Sequence, residues 1–303
     1  MRGVLTLAGE GTRMLPWTRG LRKEFLPLFD PSDGGAPVLK PVAHLVLEAM
    51  VAAGVDDVTL VAGAKDLAFV QNYFTVDRDF LSRHAHQAER LHETRRFYDT
   101  LARVRLRFAV QPSPRGFGDA VLHAEPYVGH ESFLLHAADA ILIETNRGSL
   151  LRRMADLRKA EDLDAVLLVR RVADPRRYGV VEGRRAAPHR GLRRLEVTGM
   201  VEKPERPRST WAATAVYAFS PRLFGALHAV ADARHPAELE VTDAVRWLIE
   251  HGGRVEALVL GPHDGEWRSV GSPEGYLRAL RRTRSLAQRA PAARSRRVAR
   301  GKN

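Results

Sequence analysis

The segment that most constrains this chain lies at its start. Residues 3–7 form a short, mostly apolar run, and Gly9 and Gly11 follow at once. A run of that length bounded by glycine reads as a buried strand ending in a tight turn. Glycine lets the backbone pass close to a ligand and present several N–H groups to one anion. Arg13, Arg19, Arg22 and Lys23 add positive charge just downstream. A first strand, a Gly-x-Gly turn and nearby cations describe a phosphate-holding loop at a strand's carboxyl end in an α/β protein. The spacing departs from two common phosphate loops. Position 14 is Met where a dinucleotide fingerprint has its third glycine, and no Gly-Lys-Ser/Thr follows to make a P-loop.

The rest of the chain supports an α/β reading. Strand-like runs at 57–61, 105–110, 132–136 and 165–169 alternate with helical periodicity at 40–53, 66–73, 80–101, 119–127 and 150–161. That alternation predicts a Rossmann-like, mostly parallel sheet flanked by helices. After Val172 the texture changes. Strands at 178–182, 192–202 and 214–219 are joined by turn-rich segments, followed by a helix at 241–251, a strand at 255–260 and a last helix from Pro273. This half reads as a smaller, partly antiparallel lobe. Residues 31–37 read as a loop insertion, and there is no internal repeat.

Composition excludes several classes. The absence of cysteine rules out disulfides, thiol chemistry and Cys-ligated metal, and it suits a cytoplasmic enzyme. No run approaches the roughly 18 apolar residues of a membrane helix. The chain enters its first strand without a charged-then-apolar leader, so a secretory signal is not expected. The net charge of +12 invites a nucleic-acid reading, but residues 281–303 hold eight arginines, one lysine and no acid, which is +9 of that total. The body is close to neutral. Residues 281–303 are expected to be a disordered basic tail, the one place where nucleic acid would bind.

The string from Leu7 to Phe29, LAGEGTRMLPWTRGLRKEFLPLF, resembles the signature of the sugar-1-phosphate nucleotidylyltransferases, in which a Gly-x-Gly-Thr-Arg loop precedes a Lys-Glu or Lys-Gln pair. Met14-Leu15-Pro16 and Lys23-Glu24-Phe25-Leu26-Pro27 look most like the bacterial-type UTP–glucose-1-phosphate uridylyltransferases. Further strings stand in register: Gln111-Pro112-Ser113-Pro114-Arg115-Gly116, Asp139 after a strand, Tyr178-Gly179-Val180-Val181 and Glu202-Lys203-Pro204. The resemblance spans about residues 2 to 280. It implies one domain, 1–280, with a nucleotide-binding half at 1–172 and a sugar-binding half at 173–280, working as a homo-oligomer.

The resemblance also implies roles. Ala8, Gly9, Gly11, Thr12 and Arg13 would hold the triphosphate. Lys23, with Arg13, would be catalytic, neutralising the α-phosphate and the leaving pyrophosphate. Gln111 would read the base edge, with Gly116 leaving room for the base. Gly179 and Glu202 would take the sugar, Lys203 its phosphate, and Asp139 would bind Mg²⁺. Since Lys23 stands in a polar loop, its loss is expected to cut turnover far more than it changes folding. Thr242, at the start of a helical segment, reads as a helix cap. The reaction implied is transfer from UTP to glucose 1-phosphate, giving UDP-glucose and pyrophosphate.

Two points stay open at this level. Gln111-Pro-Ser-Pro-x-Gly and Arg177-Tyr178-Gly179 look more like the glucose-1-phosphate thymidylyltransferases, and uracil differs from thymine by one methyl. Second, relatives carry Trp or Phe, one residue, then Asp-x-Gly near the end. Here Trp267 and Gly271 set the alignment, and Ser269 stands where that Asp belongs. Asp139 alone would then suffice with waters, or Asp264 or Glu266 would reach in. Otherwise the chain would be a non-catalytic sugar-nucleotide-binding homologue.

Overall fold

The computed structural model describes residues 1–31, 36–234 and 237–289. The first half contains β1 (Arg2–Thr6), β2 (Pro27–Pro31), β3 (Pro37–Pro41), α1 (Val42–Ala52), β4 (Asp57–Gly63), α2 (Leu67–Tyr73), α3 (Arg78–Arg83), α4 (His92–Leu101) and β5 (Arg105–Gln111). It continues through α5 (Phe117–Leu122), α6 (Glu125–Val128), β6 (Phe133–Ala137), β7 (Ala140–Ile143), α7 (Ser149–Ala160) and β8 (Ala165–Arg171). The second half holds β9 (Gly179–His189), β10 (Leu192–Glu202), β11 (Trp211–Phe219), α8 (Arg222–Arg234), α9 (Val241–Glu250), β12 (Val255–Val259), β13 (Glu266–Ser269) and α10 (Pro273–Arg289).

One nine-stranded sheet, in the order β5-β4-β1-β6-β11-β8-β12-β10-β9, runs through the protein. The strands β5, β4, β1 and β6 are mutually parallel, as the alternation predicts. Antiparallel pairing begins where β11 inserts between β6 and β8, and β10 closes antiparallel on β12 and β9. The second-half strands therefore extend the same sheet. Two small antiparallel pairs, β2–β3 and β7–β13, lie beside it.

Strand periodicity divides the core between the two faces of the sheet. Leu5, Leu134, Val166 and Leu168 pack with α1 and α7 on one side. Their neighbours Val4, Phe133, Leu135, Leu167 and Val169 pack with α8 and α9 on the other. Side chains two apart share a face, so an uninterrupted apolar strand feeds both layers.

Several sequence expectations change. The helix expected at 80–101 is two helices. The first starts earlier because the Asp77 carboxylate accepts the Phe80 N–H at 2.7 Å, and the polar stretch His84–Arg90 offers few residues to bury. The turn-rich reading before residue 241 missed α8, although Leu223, Phe224, Ala226, Leu227 and Val230 make a buried helical stripe. The loop insertion at 31–37 forms the end of a β2–β3 hairpin, with residues 32–35 outside the described residues. Residues 281–289, expected in a disordered tail, complete α10, where Ala279, Thr283 and Ala287 are buried and Thr283 Oγ1 accepts the Phe29 N–H at 3.3 Å. The remainder of that expectation, 290–303, lies outside the described residues. No described helix is long and apolar enough to cross a membrane.

Candidate active site

The carboxyl ends of β1, β5 and β6 meet at one edge of the sheet, and two adjoining cavities open there, of about 410 and 460 Å³. The first is lined by Ala8, Gly9, Gly11, Thr12, Lys23, Gln111 and Gly116. The second is lined by Arg13, Tyr178, Gly179, Glu202, Thr242 and Trp267, among others. Asp139 and Phe117 line both. An open α/β sheet binds ligands at this edge because helix and loop ends converge there.

The glycine loop is shaped from within. Gly11 has φ of +65°, a left-handed conformation that a side chain resists, and a Cβ there would lie 2.9 Å from Thr18 Cγ2. Thr18 Oγ1 donates to the Gly11 carbonyl at 2.9 Å, and Arg22 Nη1 donates to the Gly9 carbonyl at 3.0 Å. Arg22 is also ion-paired to Asp66, so it braces the loop. A short helical turn over Lys23–Phe25 then carries Lys23 back beneath the glycines.

Lys23 is buried, 9% exposed, and its Nζ donates to Asp139 Oδ2 at 2.7 Å. Burial alone would lower the ammonium pKa, but Asp139 and Glu24 outweigh it and the net shift is upward. Burial would likewise raise Asp139, yet Lys23 and Arg13 hold it below the usual carboxylate range. The expectation that loss of Lys23 changes folding little, because it stands in a polar loop, is therefore corrected: Lys23 is half of a buried ion pair. Its neighbour Glu24 is 2% exposed, and burial pushes its carboxyl up to about 7.

Ser269 stands beside Asp139. The β7–β13 pairing sets it opposite Ala140, and a Cβ built on Gly271 would lie 3.2 Å from Ser269 Oγ, Asp139 Oδ2 and Arg13 Nη2 alike. Its hydroxyl accepts the Gly271 N–H at 3.0 Å. Asp264 accepts the Gly261 N–H within its own turn, and Glu266 pairs with Arg268 and Arg282. Neither supplies the missing carboxylate. Among the described residues no group of three or more His, Asp or Glu side chains is arranged to hold a metal ion. One carboxylate with one adjacent hydroxyl still fits Mg²⁺ in the mode where substrate oxygens and waters fill most of its shell.

In the second cavity Glu202 is held from two sides. Oε2 accepts from Thr242 Oγ1 at 2.8 Å, and Oε1 lies 3.1 Å from Lys203 Nζ. Thr242 does not cap α9, whose N-cap is Glu240; it orients Glu202. A Cβ on Gly179 would come within 3.2 Å of Thr242 Oγ1 and Glu202 Oε2, so this glycine makes room for that bond. Lys203 is more than half exposed and lies outside the lining of both cavities. Arg13 faces the second cavity. Gly116, with φ of +104°, is required by packing, since a Cβ there would lie 2.4 Å from the Leu239 carbonyl.

Three features were missed from sequence. Arg170, at the end of β8, stacks its guanidinium 4.5 Å from the Trp267 ring centroid and has no carboxylate partner among the described residues. Glu240 lines the same cavity, and burial, then Glu202, pushes its carboxyl up to about 7. Asp119 bonds Gln111. Of these, Asp119 lies just past the Gln111–Gly116 string, three residues beyond Gly116.

The family model described as "Nucleotidyl transferase" matches residues 2–285. The chain is 27% identical over 274 residues to a glucose-1-phosphate thymidylyltransferase of Neisseria gonorrhoeae, covering 90% of this chain and 79% of that protein. It is 27% identical over 283 residues to UTP–glucose-1-phosphate uridylyltransferase 1 of Streptococcus pyogenes serotype M1, covering 91% and 86%. Among solved structures, an apo UDP-glucose pyrophosphorylase superposes with a TM-score of 0.80 at 25% identity over 94% of this chain and 98% of that one. A UTP-bound enzyme from Acinetobacter baumannii gives 0.77 at 25% over 93% and 92%. With the family model spanning nearly all of the described fold and both cavities, the chain belongs to the nucleotidyl transferase family.

Proposed function

We propose that the protein transfers a uridylyl group from UTP to glucose 1-phosphate, releasing pyrophosphate, in the cytoplasm and as a homo-oligomer. The observation that carries the reading is Asp139, which stands between a glycine-loop cavity and a sugar-side cavity and holds the buried Lys23. Two adjoining cavities sharing one charged junction suit a reaction between two bound phosphates.

A phosphate oxygen of the sugar attacks the α-phosphorus in line. The new P–O bond forms as the bond to the bridging oxygen breaks, and that electron pair leaves with pyrophosphate. Such a transfer needs positioning and charge stabilisation rather than a covalent intermediate. The N–H groups of the Ala8–Thr12 loop hold the triphosphate. Lys23 moves from Asp139 toward the α-phosphate and the leaving group. Arg13 and Arg170 orient the attacking phosphate, with Lys203 at the rim. Glu202, aimed by Thr242, accepts sugar hydroxyls. Mg²⁺ held by Asp139 beside Ser269 would supply charge neutralisation on the polyphosphate.

A screen of pyrophosphate release tests this, using five nucleoside triphosphates against several sugar 1-phosphates with Mg²⁺. Turnover with UTP and glucose 1-phosphate supports the reading, and preference for dTTP turns it to thymidylyl transfer. Ser269 favours a second reading, a non-catalytic sugar-nucleotide-binding protein. Nucleotide binding without turnover across the panel selects it.

A further inference from the structure

Gln111, at the end of β5, is 4% exposed, and both hydrogens of its amide nitrogen are committed. Nε2 donates to the Gly116 carbonyl at 3.1 Å and to Asp119 Oδ2 at 2.7 Å. A peptide carbonyl and a carboxylate are both acceptors only. Turning the amide over would set its oxygen against two other oxygens. Oε1, in contrast, accepts from no group among the described residues. Gln111 therefore meets the first cavity as an acceptor alone.

Asp119 is held as firmly as the amide it holds. It lies in α5, whose start is locked to the segment before α9: Gly118 N–H donates to the Leu239 carbonyl at 2.7 Å, and Leu239 N–H to the Arg115 carbonyl at 2.8 Å. A Cβ on Gly118 would lie 2.8 Å from Leu227 Cδ2, so this approach admits no side chain there. His123 Nε2 is 3.7 Å from the same carboxylate oxygen. A bond from an amide to an ionised carboxylate is stronger than one to a neutral acceptor, which makes Asp119 the larger of the two restraints on the amide.

We propose that Asp119 is a positioning residue that locks Gln111 with its carbonyl oxygen toward the base, so that the pocket takes nucleobases with an imide N–H and turns away cytosine. The inference rests on the nucleotide reading of this cavity given above. Uracil and thymine carry a hydrogen on N3 that Oε1 accepts. Cytosine in the same pose sets a ring-nitrogen lone pair against the Oε1 lone pairs. A buried polar group left unpaired in this way penalises the wrong base heavily.

Calorimetric binding of UTP and CTP to the wild type, Asp119→Asn and Asp119→Ala, with melting curves for each, tests the lock. The wild type is expected to bind UTP at least ~100-fold more tightly than CTP. Asp119→Ala frees the amide and should lower that ratio about tenfold, whereas Asp119→Asn keeps a weaker, neutral acceptor and should lower it about threefold. Asp119→Asn is isosteric and carries the test if the alanine variant melts early. A ratio unchanged within about twofold in a folded variant overturns the proposal, as does a wild type that does not discriminate. Selective UTP binding without pyrophosphate release would refute the transfer reaction and leave the role of Asp119 standing. Release with an unchanged ratio would do the reverse.

Discussion

Replacing Lys23 with Ala should damage both turnover and the fold, and the two losses are separable. Lys23 Nζ and Asp139 Oδ2 are 2.7 Å apart, with side chains 11% and 24% exposed. At an effective dielectric of about 20, charges at that distance attract by roughly 6 kcal/mol before desolvation. Desolvation offsets most of that, and removing one member of a buried pair typically costs about 3–5 kcal/mol. Asp139 keeps some contact with water, so about 2–3 kcal/mol is expected for Lys23→Ala. Urea denaturation of the wild type, Lys23→Ala, Asp139→Ala and the double variant forms a cycle that isolates the pair, with an expected coupling of about 2 kcal/mol. The acid dependence has a definite sign. Asp139 is held below its ordinary value, so its contribution is present above the usual carboxylate range and lost as the pH falls below it. The penalty of Lys23→Ala should therefore shrink in acid. Turnover at saturating substrates should fall about 10²–10³-fold. An additive cycle would refute the ion pair, and wild-type turnover in Lys23→Ala would refute the catalytic assignment.

Ser269→Asp should set a second carboxylate beside Asp139, costing about 1–2 kcal/mol at neutral pH without metal and tightening Mg²⁺ about tenfold or more; unfolding curves across a Mg²⁺ titration check this. Burial, then the charges of Lys40 and Arg147, pushes His44 down to about 3, so the folded state keeps a neutral ring while the unfolded chain takes up a proton below about 6.5. Stability should then fall by about 2 kcal/mol from pH 7 to 5, and melting curves of His44→Gln should show a shallower slope over that range. Arg170→Gln should raise the KM for the sugar phosphate about tenfold and leave that for UTP within about twofold, a split that steady-state kinetics reads directly.

Patterning along the chain specifies the layered α/β class and the glycine turn after β1, and the family resemblance points to eleven of the residues that line the two cavities. Those features are local. Period-two strands and amphipathic helices depend on neighbours a few residues away, and glycine turns on single backbone angles. The helix α8 was legible in the same way, from a stripe that repeats every three or four residues. Tertiary structure alone decided how the site residues meet. Lys23 and Asp139 are 116 positions apart, Glu202 and Thr242 40, and Trp267 and the Thr214 carbonyl 53. The four-residue strands β7 and β13, too short to leave a pattern, place Ser269 beside Asp139. Whether a lysine is a solvated charge or half of a buried pair depends on what the fold packs over it, because burial and charge pairing are set by strand ends that chain order does not bring together.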